Sequence, residues 1–170
     1  MKIKVSLFFL SMIFFVNLYA QIGFLKVNER FEDNTFTTMD GEQVILDSIH
    51  NKVFVMNFWN IGCTGCEQER TFLNELYHNY KNQDVVFWSI TMTSKEKLDS
   101  YLKKHPIDWE VKGGIDFLGF KGDQTFLVNC IPTTILIDKE RNVIYSQCGT
   151  ILEGESGDYF MKLIDGALSK

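Results

Sequence analysis

Two cysteines, Cys63 and Cys66, stand in the stretch FWNIGCTGCEQE at residues 58 to 69. A C-x-x-C pair can ligate zinc, attach haem, staple a fold or shuttle electrons, and its surroundings decide among these uses. A tetrahedral zinc site needs four ligands, commonly from a second C-x-x-C or a spaced pair of histidines. Here Cys130 and Cys148 have seventeen residues between them, and His50, His78 and His105 are scattered. Attachment of c-type haem needs histidine directly after the second cysteine, where this chain has Glu67. A structural staple stays open as a use, but so short a loop removes little unfolded-state entropy. Redox exchange has what it needs if Cys63 opens a helix. Unpaired N–H groups and the helix dipole there favour a thiolate, lowering a thiol pKa from about 8.5 into a range of roughly 3.5 to 7.5. Residues three apart share a helix face, so Cys66 can close a disulfide with Cys63. Cys66, one turn into the helix, is expected to be the more buried and less nucleophilic of the two.

The flanking pattern places the pair at such a junction. Val53 to Trp59, VFVMNFW, is a nearly unbroken apolar run and predicts a strand covered on both faces. From Cys63 onward the period becomes helical, with Phe72, Leu73, Leu76, Tyr77 and Tyr80 on one face. Val85 to Ile90 predicts a second buried strand. Thr93 with Glu96 fits a capping box ahead of a helix carrying Leu98, Tyr101 and Leu102, which ends before His105-Pro106. Asp108 to Val128, rich in glycine, reads as a short strand, a loop and a short helix. Thr133 to Asp138 and Val143 to Cys148 flank a polar KERN turn as a hairpin, and Tyr159 to Leu168 forms a last amphipathic helix. Ahead of all this, Phe36 to Met39 and Gln43 to Leu46 flank Asp40-Gly41 as a hairpin, and residues 21 to 35 wrap the domain edge. Strands interleaved with helices predict an α/β domain with helices on both faces of its sheet.

At 170 residues, 45% hydrophobic and 23% charged, the chain is expected to form one soluble domain over 21–170, acting as a monomer. A net charge of −5 gives no basic stripe for nucleic acid. Residues 1–20 place Lys2 and Lys4 before an apolar stretch from Val5 to Val16 and close on Ala20. This is the pattern of a cleaved signal peptide, with an uncleaved anchor as the alternative because Leu18 is large for its position before the cut. Export permits disulfides to persist.

FWNIGCTGCEQE resembles the F-W-x-x-W-C-x-x-C-x-x-E of thioredoxin-fold proteins, and Cys130-Ile131-Pro132-Thr133-Thr134 resembles their cis-proline segment, usually G-x-P-T-T. With the export signal and the early hairpin, the nearest branch is the TlpA/ResA-like thiol-disulfide oxidoreductases, over roughly Phe31 to the end. The resemblance implies a thioredoxin fold, a central mixed β-sheet flanked by helices, with an N-terminal β-hairpin extension. It implies that Cys63 and Cys66 are catalytic, with no metal and no organic cofactor. Pro132 is then cis and packs over the pair, Ile131 offers backbone groups to a substrate strand, and Trp59 flanks the site or fills the core. Glu69 matches the branch's glutamate after the second cysteine, or is simply a favourable charge in the first helical turn. The branch often carries asparagine where Asn57 stands, in place of the buried aspartate of cytoplasmic thioredoxins.

Departures from the pattern lie around the cysteines. Gly62 replaces the usual Trp, and Thr64-Gly65 separates the pair. The Thr64 hydroxyl and Gly65 N–H are expected to stabilise the Cys63 thiolate and push the reduction potential upward. Cys130, where glycine is usual, is an accessory thiol or a small packed residue, and its pairing with Cys148 is open. The expected role is reduction of specific protein disulfides outside the cytoplasm, for instance in cytochrome c maturation, with electrons from a membrane or periplasmic thiol donor. Two other classes stay open: a peroxiredoxin-like peroxidase, although no proline precedes Cys63, and a Cu(I)-binding module, which the proline of the resemblance disfavours.

Overall fold

The computed structural model describes residues 25–31, 35–38, 40, 42–45, 50–117 and 128–170. The expected signal segment, the glycine of the Asp40-Gly41 turn and residues 118–127 of the glycine-rich stretch lie outside the described residues.

Alternation and burial build the sheet. Strand β3 (Val53–Trp59) is buried at every position, as its nearly unbroken apolar run predicts. It lies parallel to β4 (Val85–Thr91), which is parallel in turn to β5 (Glu110–Lys112). On its other side β3 runs antiparallel to β6 (Thr133–Ile137), and β6 pairs antiparallel with β7 (Val143–Cys148), giving a mixed sheet in the order β5-β4-β3-β6-β7. The early hairpin, β1 (Thr35–Thr37) and β2 (Gln43–Ile45), forms a separate two-stranded sheet. The helices among the described residues are α1 (Thr64–Tyr80), α2 (Lys95–Leu102) and α3 (Glu155–Leu168).

The two faces of the sheet are filled differently. Val53, Val55, Phe87 and Leu136 pack with Leu73 and Leu76 of α1 and with Phe160 and Ile164 of α3. On the opposite face Phe54, Met56, Phe58, Trp88 and Ile135 pack with Phe31, Phe36, Ile115 and Val128, and Phe54 meets Trp88 edge-on at 5.4 Å. Among the described residues this second face is thus covered by the N-terminal arm and loop side chains. Helix α2 joins a third cluster, in which Leu98 meets Trp59 and Cys66. Residues 28–31 wrap the edge as expected: Asn28 N–H and Phe31 N–H donate to Val143 O and Arg141 O, both at 2.8 Å.

Local chemistry shifts some boundaries. Helix α3 begins four residues before the expected Tyr159. Helix α2 starts after Ser94 with no side-chain cap. Thr93, expected as its cap, instead donates through Oγ1 to Asn60 Oδ1 at 3.2 Å. Ile164 is fully buried, so Ile164→Val is expected to lower unfolding free energy by about 1 kcal/mol through the lost methyl, read from urea denaturation.

Candidate active site

The strand-to-helix junction turns on Gly62, whose φ of +85° lies in the left-handed region that side chains other than glycine adopt at a cost. A Trp at this position would be strained in this conformation. The turn delivers Cys63 in extended conformation as the N-cap of α1. Its Sγ accepts a hydrogen bond from Cys66 N–H at 3.2 Å, one of the donors a helix start leaves without an intrahelical partner. Cys63 is half-buried and Cys66 is 5% exposed. The two form a disulfide with their Cα atoms 5.3 Å apart.

In the disulfide form, the hydrogen bond to Cys63 Sγ comes from neither Thr64 nor Gly65. Thr64 is exposed, and the bond to Cys63 Sγ comes from Cys66 N–H, the third N–H of the helix, which points back at the cap side chain. Gly65 matters for space. A methyl built on it would lie 3.0 Å from Thr150 Cγ2 and 3.2 Å from Pro132 Cδ, so the helix backbone runs directly against these two side chains. The Ile131-Pro132 bond is cis and Pro132 is buried. Ile131 is half-buried against the cluster of Trp59, Cys66 and Leu98.

Trp59 is 2% exposed and stacks on Tyr101, with ring centroids 5.7 Å apart. It therefore backs Cys66 from inside and presents no surface to a substrate. Tyr101 continues outward: its hydroxyl donates to Glu67 and accepts from Arg70 Nη2 at 2.8 Å, and Arg70 also pairs with Glu67. Tyr101 reads in the sequence only as a helix-stripe residue, and its partners are set by tertiary packing.

Glu69 lies on the face of α1 that carries Cys66 and is 1% exposed. Its Oε1 accepts from Asn57 Nδ2 at 2.7 Å and its Oε2 from Ile151 N–H at 3.1 Å, while Asn57 Nδ2 also donates to Thr134 Oγ1 at 3.2 Å. Burial raises the carboxyl pKa to about 7, against the pull of the Ile151 and Asn57 donors. The reading of Glu69 as a simple first-turn charge is thereby corrected, because a dipole partner would sit in solvent. Ile151 gives no sequence signal for this contact, since only its backbone makes it.

Cys130 carries no free thiol: it is bonded to Cys148, with Cα atoms 6.0 Å apart, and this corrects the accessory-thiol reading. Cys148, at the end of β7, is exposed rather than turned inward. The bridge closes a loop over 18 positions that β6-β7 pairing already shortens. Replacing both cysteines with Ser is expected to cost about 2 kcal/mol, measured as a lower denaturation midpoint.

A family model described as AhpC/TSA family matches residues 27–146, a span that takes in Cys63, Cys66 and Pro132. The chain belongs to the AhpC/TSA family. The chain is similar to the thiol-disulfide oxidoreductase ResA of Bacillus cereus, 26% identical over 140 residues, covering 82% of this chain and 79% of that one. It is also similar to ResA of Bacillus subtilis, 25% identical over 131 residues, covering 76% and 72%. The solved thioredoxin domain of a Bacteroides vulgatus thiol-disulfide oxidoreductase superposes with a TM-score of 0.60 at 18% identity, covering 84% of this chain and 98% of that one. A Corynebacterium glutamicum thiol-disulfide isomerase does so with a TM-score of 0.63 at 15% identity, covering 84% and 97%. The fold of this family member is the thioredoxin fold.

Proposed function

We propose that this ResA-like thiol-disulfide oxidoreductase is exported and reduces disulfides in specific protein substrates through Cys63 and Cys66. The observation that carries the reading is the asymmetry of the pair: Cys63 is a half-buried helix cap with an N–H aimed at its sulfur, whereas Cys66 is buried. In the reduced protein the Cys63 thiolate attacks a substrate sulfur and displaces the other as a thiolate, forming a mixed disulfide. Cys66 then loses its proton and attacks Cys63 Sγ, which releases the substrate dithiol and leaves the Cys63–Cys66 disulfide. Two electrons pass to the substrate, and a thiol donor must return them. Glu69 follows Cys66 by three positions on α1, and with a pKa raised to about 7 it can take up a proton near neutrality; we assign it as the acceptor of the proton that Cys66 gives up. Pro132 and Ile131 border the entry, and Ile131 offers its backbone to an extended substrate segment. No organic cofactor or metal is needed.

The first twenty residues are read as the export signal, cleaved or retained as an anchor, and apocytochrome c is the substrate class in view. Among the described residues no helix is long and apolar enough to cross a membrane. The test is to express Cys66→Ser with its N-terminal segment in the native host and identify what Cys63 holds. One dominant extracytoplasmic protein in mixed disulfide supports the reading and names the substrate. A normally folded variant that traps nothing, or traps only cytoplasmic proteins, overturns it.

A further inference from the structure

No step of that reaction uses the Cys130–Cys148 bridge, and its two sulfurs differ in surroundings. Cys148 is exposed at the end of the edge strand β7. With Lys26, Asn129, Thr133 and Ser146 it lines a cleft of about 380 Å³, within the size range of small-molecule sites, roughly 300 to 1,000 Å³. Cys130 is half-buried and does not line that cleft. Its Sγ lies 3.3 Å from Thr133 Oγ1, and the same hydroxyl donates to Cys130 O at 2.8 Å.

We propose that the Cys130–Cys148 bridge is a second thiol-disulfide exchange site, opened at Cys148 by a low-molecular-weight thiol that carries a carboxylate. The incoming thiolate forms a bond to Cys148 Sγ, the bond between the two cysteine sulfurs breaks, and the electron pair leaves on Cys130. Exchange is directed by which sulfur can be reached and by how well the other leaves. Cys148 is the reachable one. Cys130 is the better leaving group, because the Thr133 hydroxyl can turn its hydrogen from the carbonyl to the new thiolate. A second molecule of the thiol attacks the small-molecule sulfur of the mixed disulfide and releases Cys148. Two thiols thus become one small-molecule disulfide, two electrons enter the bridge, and the two protons end on Cys130 and Cys148. Lys26 provides a cation for the carboxylate, and Asn129 and Ser146 provide hydrogen-bonding groups beside it.

The location gives the exchange a consequence. Cys130 stands two residues before Pro132 and Cys148 two residues before Thr150, and Pro132 and Thr150 are the side chains packed nearest Gly65. Gly149 N–H also donates to Pro132 O at 2.9 Å. The bridge therefore ties together the two walls beside the Cys63–Cys66 site, and opening it loosens them. This consequence rests on the function proposed above, whereas the exchange site itself does not.

The test removes the first site. The Cys63→Ser, Cys66→Ser double variant of the full chain, with its bridge oxidised, is incubated with glutathione, quenched by alkylation and mapped by peptide mass, while near-UV circular dichroism reports the fold. The expected result is glutathione on Cys148 and the alkyl group on Cys130 at early times, followed by alkyl groups on both, in a protein that stays folded. Lys26→Ala is expected to slow adduct formation by about two- to fivefold, the range of an exposed charge pair, with glutathione but not with cysteamine, which lacks a carboxylate. Glutathione on Cys130, or opening only after denaturant unfolds the chain, would overturn the site. An equal effect of Lys26→Ala on both thiols would overturn the carboxylate assignment.

Discussion

Cys63→Ser is expected to abolish disulfide exchange, whereas Cys66→Ser retains the first half of the reaction and stops at a mixed disulfide. The difference follows from position. Cys63 is a half-buried cap of α1 whose sulfur receives the Cys66 N–H, so negative charge on it is stabilised and it can meet an incoming sulfur. Cys66 is 5% exposed and packed with Trp59 and Leu98, so it reaches only what is already bonded to Cys63. With a protein disulfide such as insulin as substrate, Cys63→Ser should fall to the background reaction with thiol reductant alone, a loss on the order of 10³-fold or more. Cys66→Ser should turn over no better, yet accumulate one equivalent of covalent adduct on Cys63. An adduct that forms at Cys66 in the Cys63→Ser protein at a comparable rate would reverse the assignment of roles.

Replacing Glu69 by Gln is expected to flatten the dependence of stability on pH below neutrality. In the folded protein the Glu69 pKa is raised from the usual 4.5 to about 7, so between these values the folded state binds more protons than the unfolded state. Stability from this group is therefore highest below about pH 4.5 and falls as pH rises toward 7. Each tenfold change in proton affinity is worth 1.36 kcal/mol, and the displacement amounts to about 3 kcal/mol across the window. In Glu69→Gln that loss should vanish from denaturation midpoints measured at intervals from pH 4.5 to 7.5. The variant has one carbonyl oxygen for the two donors that the carboxylate serves, Asn57 Nδ2 and Ile151 N–H, so whichever of them faces the amide nitrogen loses its acceptor. A second readout separates a proton-holding role from a structural one. The rate at which Cys66 resolves the mixed disulfide should lose its inflection near pH 7 in Glu69→Gln, while formation of the mixed disulfide at Cys63 keeps its pH profile. An unchanged resolution profile would confine Glu69 to structure.

The early hairpin and the last two strands were legible because each joins neighbours in sequence through a short polar turn, as KERN does between β6 and β7. The start of α2 departs from the capping-box pattern because Thr93 has two possible uses, and the nearby Asn60 Oδ1 takes its hydroxyl. Burial of Phe31 and Phe36 on the sheet face away from α1 and α3 has no local signature, since an irregular segment with two aromatics can lie anywhere until a face is left uncovered.

What the sequence by itself determined is the chemistry of the pair. The run VFVMNFW followed by a change to helical period sets Cys63 at a helix start, and three positions of spacing put Cys66 on the same face; both are properties of adjacent residues. The tertiary structure alone decided the surroundings that make the pair specific. Glu69 meets Ile151 from 82 positions away and Arg70 meets Tyr101 from 31 positions away. Gly65 lies against Pro132 and Thr150, and Cys130 joins Cys148 across a loop. These partners share no pattern along the chain. They meet because the parallel and antiparallel strands of one sheet bring their ends to the same place, and only the packed sheet can select which of the many distant groups arrives beside a given side chain.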